Sequence, residues 1–519
     1  MDVFANLALG FSIAFTPFNL VMAAVGVILG TLIGALPGVG PVSGIALLLP
    51  LTFGMPPTSG IIMLAALYAG SMYGGTITSV LINTPGEAAS VVTCIDGHQM
   101  ALQGRAGPAL GIAALGSFVA GTLGVVLLMG MSPLLARWAL SFGPPETFAL
   151  MLLGLTTVTG LTGENALKGY ISMVLGLMLS MVGFDLISGD ARYTGGLNEM
   201  LDGVDFLPVA VGLFGLGEVL VGAEQAVRRE ILNARFGLRD VLPSLADWAR
   251  SRWAIARGTV LGFAVGVLPG AGPTIATFLA YSLEKKVSKH PEEFGRGAIE
   301  GVAAPESANN AASAGAMVPM LTLGIPGSAT TAVMMGGLMM WGIRPGPLLF
   351  EKNPDFVWGL IASLYIANVM LVILNIGFIP VFVRALRIPY SILMALIVVF
   401  CITGAYSQNN KLWDVGQMLV FGVVGYGMRK LDYSPAALVL ALVLGPLAER
   451  ALRQALIISD SGVLILFQRP ISAVLTTLAL VAVAIPLARA LRSLRGGPRH
   501  GASPPPPLEA PRTGSGAPR

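Results

Sequence analysis

The chain has 519 residues, of which 55% are hydrophobic and only 11% charged, with a formal net charge of +4. Soluble domains carry roughly 25% charged residues, so this composition excludes a water-soluble globular protein and points to an all-α polytopic membrane protein. A charge this small, gathered in short basic runs, also excludes nucleic-acid binding as the main role.

Nothing between Asp2 and Glu87 is Asp, Glu, Lys, Arg or His, and about 20 helical residues cross a bilayer. That stretch alone holds three or four passes. The first residues lack the basic region and small-residue cleavage site of a secretory signal, so segment 1–17 is expected to stay as an anchor. Inside the run stands Gly34-Ala35-Leu36-Pro37-Gly38-Val39-Gly40-Pro41, and at its end Asn83-Thr84-Pro85-Gly86-Glu87. Further charge-free runs cover 106–136, 258–282, 307–343, 356–383, 433–448 and 470–488, giving about 10 to 14 crossing or half-crossing segments. Stretch 185–205 carries five acids and Arg192 alone as a base, the pattern of an external loop. Gly212-Leu213-Phe214-Gly215-Leu216-Gly217-Glu218 has glycines at nucleotide-loop spacing, but no strand precedes it and the pattern is incomplete.

Seven arginines between Glu224 and Arg257 put the linker 223–253 on the cytoplasmic side by the positive-inside rule. Beyond it the opening signature returns as Gly266-Val267-Leu268-Pro269-Gly270-Ala271-Gly272-Pro273, 232 residues after its first copy. Pro326-Gly327 repeats Pro85-Gly86 at 241 residues, and Arg344 repeats Arg105 at 239. Pro389, Gly404 and Asn409 repeat Pro145, Gly160 and Asn165 at 244. Specific Pro, Gly and Arg positions in one order are hard to produce by hydropathy alone, so residues 18–222 and 254–450 read as duplicated halves, inverted if the uncharged N-terminus lies outside. An extra C-terminal transmembrane helix falls within 451–492, and the Pro-rich stretch 493–519 reads as a disordered cytoplasmic tail.

The paired breaks carry the chemistry. A helix that stops at Pro-Gly and restarts offers unpaired N–H groups and partial positive charge, a natural seat for a carboxylate. The departing helix exposes carbonyls suited to a cation, which makes Na⁺ near Asn83, Thr84 and Gly324 a candidate. A Pro-Gly turn in water would use the same residues once. Two copies flanked by small residues favour a buried re-entrant site. The binding candidates are Pro37, Gly38, Gly40, Pro41, Asn83, Thr84, Pro85, Gly86 and Glu87 from the first half. From the second come Pro269, Gly270, Gly272, Pro273, Glu306, Asn309, Asn310, Pro326, Gly327 and Ser328. Glu306, Asn309 and Asn310 join that group because polar groups at membrane depth are costly enough to imply function.

The doubled signature, the segment from Asn83 to Glu87 and the run from Pro305 to Ser328 resemble the large membrane subunit of the tripartite tricarboxylate transporters. The resemblance implies a multi-pass permease of the bacterial inner membrane that works with a small membrane subunit and a periplasmic solute-binding protein. It also implies uptake of citrate or related carboxylates on a Na⁺ or H⁺ gradient, inverted repeats and a mobile transport domain. No other cofactor is expected.

An enzyme is disfavoured, because His98, His290 and His500 fall in polar stretches and Cys94 and Cys401 have no metal-ligand spacing. No GxxxxGK[ST] sequence supports an ATP-driven pump. A passive channel or an exporter of organic anions is the alternative, and uphill accumulation separates these from an importer.

Overall fold

The computed structural model describes residues 3–36, 38–157, 166–185, 188–224, 241–379, 382, 390–459 and 461–495. Pro37, Gly160, Asn165, Pro389, most of the basic linker and the Pro-rich tail lie outside them. The first half comprises α1 (Val3–Ala14), α2 (Pro17–Ala35), α3 (Gly40–Leu48), α4 (Pro57–Ile82), α5 (Val91–Leu102) and α6 (Ala106–Ala139). It continues through α7 (Pro144–Thr157), α8 (Ala166–Ser180) and α9 (Phe206–Glu224). The second comprises α10 (Leu245–Val267), α11 (Gly272–Val287), α12 (Glu300–Leu323), α13 (Ala329–Met340) and α14 (Pro354–Gly377). Then follow α15 (Tyr390–Asn409), α16 (Leu412–Lys430), α17 (Pro435–Ile458) and, beyond the repeat, α18 (Pro470–Arg495). The described residues pair as strands only in a two-residue hairpin, Gly183–Phe184 against Ala191–Arg192.

Seven described helices are long and apolar enough to span a bilayer. One bent pair, broken by 101° between Gln468 and Pro470, makes up to eight. Four shorter apolar helices accompany them. The chain is an all-α polytopic membrane protein.

Both copies of the signature break the chain in the same way. Leu36 and Leu268, each followed by proline, leave the helix for extended backbone at ψ 108° and 120°. Gly38 and Gly40 then take φ of 95° and 63°, matched by Gly270 and Gly272 at 77° and 64°. Only glycine enters that region without steric cost. Pro41 and Pro273 restart α3 and α11 from within the first turn, where a missing N–H is harmless.

The second pair of breaks is equally alike. Asn83 and Gly324 close α4 and α12 in the left-handed conformation, and their N–H groups donate to Thr78 O and Pro319 O. After Pro-Gly, Glu87 N donates to Ser90 Oγ, and Ser328 caps α13 by accepting from Thr331 N.

Close packing in each half rests on glycines four residues apart. A Cβ on Gly26, Gly30 or Gly34 of α2 would collide with the backbone carbonyls of Met63, Leu67 and Ser71 in α4. Gly258, Gly262 and Gly266 of α10 stand in the same relation to Ala304, Ala308 and Ala312 of α12. Small residues at this spacing let two backbones meet, and van der Waals contact then replaces side-chain interdigitation. The halves also interleave: α6 packs on α12, with Gly116 near Ser307 and Gly124 near Ala311, while Tyr73 of α4 donates to Asn368 of α14.

One buried acid fastens the halves at a helix start. Asp96 of α5 is fully buried and accepts through Oδ1 from the N–H groups of Gly295, Gly297 and Ala298, at 2.8, 2.8 and 2.9 Å. Its Oδ2 accepts from Tyr281 at 2.8 Å. The turn that leads into α12 is thereby fixed to the other half. Elsewhere, Arg192 of the hairpin bonds Glu449 and Arg453 bonds Asp185, so the acidic stretch is tied to α17.

Candidate functional site

The four chain breaks converge on one cavity of about 760 Å³. Gly38, Gly40 and Pro41 line it from the first signature, and Gly272 and Pro273 from the second. Pro85, Gly86 and Glu87 come from one Pro-Gly break, and Ser328, with Ala329 and Thr330, from the other. Segments more than two hundred residues apart thus face the same space, which is the juxtaposition that matched breaks in two halves predict.

Other candidates stand behind this wall. Pro269, Gly270, Pro326 and Gly327 do not line the cavity. A Cβ on Gly327 would lie 2.6 Å from Ala316 Cα, so this glycine is needed for its turn to rest on α12. Gly86 has both duties, since it lines the cavity and is pressed against Gly34 O and Gly75. Pro37 lies outside the described residues.

Asn83 and Thr84 are not gathered with Gly324. Asn83 is exposed, and the Thr84 hydroxyl turns back to Ile82 O at 3.1 Å. Gly324 lines a second cavity of about 410 Å³ that also holds Arg344 and Arg450 and includes neither of the other two. Arg105, the repeat partner of Arg344, pairs instead with Asp247 at 2.7 Å.

Behind the lining, a buried polar network joins the halves. Asn309 Nδ2 donates to Glu87 Oε1 at 2.9 Å. One turn earlier on α12, Glu306 accepts from Thr76 Oγ1 at 2.7 Å and from Thr93 Oγ1. Asn310 donates to Ser117 Oγ at 2.7 Å and to Glu306 O at 3.2 Å, which ties α12 to α6. Glu87 is 8% exposed, Glu306 1% and Asn309 not at all. Among the described residues no Lys, Arg or His forms an ion pair with either carboxyl. Asn309 Oδ1 is buried with no hydrogen-bond partner, although a buried carbonyl oxygen normally has one. Tyr68 OH, 3.4 Å from Ser328 Oγ, links α4 to the second break.

The helix ends are partly occupied. The capping pair Ser328 and Thr331 takes up the N–H groups of both residues, leaving those of Ala329 and Thr330, whose residues line the cavity. Helix-end charge is therefore a smaller share of any anion recognition than an uncapped terminus would give.

Two lining residues escape the reading of motifs. Glu218 and Arg429 form an ion pair at the cavity wall. Glu218 follows a π-helical turn, Val211–Leu216, in α9, and such wide turns commonly mark functional positions. The glycine run that resembles a nucleotide loop instead packs α9 on α16: a Cβ on Gly425 would lie 2.8 Å from Leu213 backbone atoms. The available signal was a carboxylate, Glu218, inside a helix whose other acid, Glu224, is its last residue, with an arginine at the end of another helix.

The pattern of one protein family, described as the tripartite tricarboxylate transporter TctA family, matches residues 20–440. An uncharacterized 52.8 kDa protein in the TAR-I ttuC' 3' region of Agrobacterium vitis is 47% identical over 495 residues, covering 95% of this chain and 98% of that protein. A second protein from the same organism, uncharacterized and in the TAR-II ttuC' 3' region, is 47% identical over 234 residues, 45% of this chain and 97% of its own length. No solved structure matches. With the family pattern running from residue 20 to residue 440 and a relative alike along nearly its whole length, this chain belongs to the tripartite tricarboxylate transporter TctA family.

Proposed function

We propose that this chain is the permease subunit of a binding-protein-dependent secondary transporter of the bacterial inner membrane. It imports tricarboxylates or related organic carboxylates on a Na⁺ or H⁺ gradient. A periplasmic solute-binding protein delivers the substrate, and a small membrane subunit completes the complex. The two halves are inverted with respect to each other, so that equivalent breaks approach the cavity from opposite leaflets.

The observation that carries this reading is the shared cavity, walled by equivalent breaks of both halves. Its size suits a small organic anion, since ligand pockets span roughly 300–1,000 Å³. Each helix end contributes only about 0.3 to 1 kcal/mol, too little to hold a multivalent anion at membrane depth.

A coupling cation supplies the difference. Glu87 and Glu306 come from opposite halves and have no basic partner among the described residues, and intramembrane carboxyls of this kind mark ion or proton paths. Asn309, bonded to Glu87 through Nδ2, adds a further buried oxygen, Oδ1. Neutralising these groups on the inward passage would couple cation entry to substrate entry.

The test is uptake of [¹⁴C]citrate, with other di- and tricarboxylates as competitors, into proteoliposomes holding all three components. Accumulation above the external concentration under an imposed Na⁺ or H⁺ gradient is expected. Equilibration without accumulation would instead identify a passive pathway.

A further inference from the structure

Arg429 is the one basic residue among the described residues that line the cavity, which also presents two acids, Glu87 and Glu218. An entering carboxylate meets net repulsion unless Arg429 receives it. Arg429 is already engaged by Glu218, whose side chain is 9% exposed while that of Arg429 is 24% exposed. The pair bridges α9 and the end of α16, and Glu218 also reaches the first signature. A Cβ on Gly38 would lie 3.0 Å from Glu218 Oε1, so the left-handed glycine keeps that space open.

We infer that Arg429 is the residue that binds a carboxylate of the substrate, and that Glu218 holds its place while the cavity is empty. A guanidinium presents planar paired donors that match a carboxylate. One carboxylate can therefore replace another on Arg429 without leaving the cation unpaired in a partly buried position, and the displaced Glu218 carboxylate takes up a proton or the coupling cation. Removing a partner outright would leave that charge uncompensated, which is the costly outcome for buried pairs. The exchange admits anions and gives neutral molecules of the same size no means of releasing Glu218. It selects for carboxylate within the same cavity that the helix ends line.

This inference rests on the permease reading and deepens it. The experiment is [¹⁴C]citrate uptake by the complete complex in proteoliposomes, with KM and maximal rate measured separately and folding followed by size-exclusion profile and Tm. E218Q removes the competing carboxylate while keeping its shape, so KM should fall about threefold or more. R429K keeps the charge and loses the paired donors, so KM should rise at least about tenfold, equal to about 1.4 kcal/mol. The double variant E218Q/R429Q leaves no unpaired charge and should fold, yet take up no citrate. Wild-type KM in the double variant, or an unchanged or higher KM in E218Q, overturns the inference while leaving the permease reading intact. Absence of citrate uptake by the wild-type complex overturns the tricarboxylate reading and this inference with it.

Discussion

Asn309 Nδ2 lies 2.9 Å from Glu87 Oε1, so the longest-buried helix of the second half is hydrogen-bonded to the Pro-Gly break of the first. The amide has one group satisfied and its oxygen unsatisfied in a site shielded from water. N309A should raise the Na⁺ or H⁺ concentration needed for half-maximal uptake about tenfold or more. It should lower stability by only about 1–3 kcal/mol, the cost of leaving a buried acceptor without its donor. Uptake measured against each cation, with Tm alongside, checks this. An unaltered cation dependence would remove Asn309 from the coupling site.

Gly86 and Gly327 each turn the chain against another backbone, at Gly34 and Gly75 and at Ala316 respectively. G86L and G327L should abolish uptake with the protein still inserted in the membrane. Because both sites are tightly filled, G86A and G327A should also lower stability by about 1–3 kcal/mol. Membrane fractionation, uptake and Tm read these effects separately. Full uptake in either leucine variant would place the break outside the transport path.

The glycine seams offer a test of duplication itself. Gly30 and Gly262 are 232 residues apart and meet Leu67 O and Ala308 O in the same way. G30V and G262V should destabilise by similar amounts, several kcal/mol each, since a backbone carbonyl cannot move aside as a side chain can. Detergent-dependent unfolding curves of the two variants should superimpose to within about 1 kcal/mol, and a large disparity would show that one seam is dispensable.

Asp96 concentrates four hydrogen bonds on one carboxylate, three of them from backbone N–H groups. D96A leaves the buried Ala298 N–H without an acceptor, at about 1–3 kcal/mol, and releases the N–H groups of half-buried Gly297 and exposed Gly295, so it should lower Tm and expression further than loss of the tyrosine bond alone. Y281F removes one bond and should cost about 1–2 kcal/mol, with uptake kept. Expression level and Tm distinguish the two outcomes.

Burial, followed by the neighbouring Asp414, raises Asp205 above the ordinary aspartate value of 3.8. The folded chain then holds this proton more tightly than the unfolded chain. The resulting stability is present at low pH and fades as pH rises from 3.8 through the folded-state value. D205N removes the titrating group, so the fall in Tm between pH 4 and pH 7 should be smaller than in the wild type.

Much of the site could be read from spacing because glycine and proline act locally. The signatures specify left-handed glycines and a helix restart wherever they occur, and the two copies do produce matching backbone at Gly40 and Gly272. The same locality explains why Asn83 and Thr84 mislead. Next to Pro-Gly they read as ligands, yet the left-handed cap leaves Asn83 exposed and turns Thr84 back on its own helix. Arg429 lies outside any motif, Glu218 closes a glycine run that reads as an incomplete nucleotide loop, and the two meet only through the packing of α9 on α16, which sequence periodicity does not specify. The glycine seams were present at i, i+4 spacing in both halves, but glycines in apolar helices are common enough that only the carbonyls opposite them reveal their purpose.

In the seams of α2 on α4 and α10 on α12, the glycines bring main chain directly against main chain. Sliding one helix past its partner would force each Cα over a carbonyl oxygen, with no rotamer change available to ease the passage. Each couple therefore holds as a single stiff body, and any rearrangement around the cavity must yield at margins packed by longer, more pliable groups.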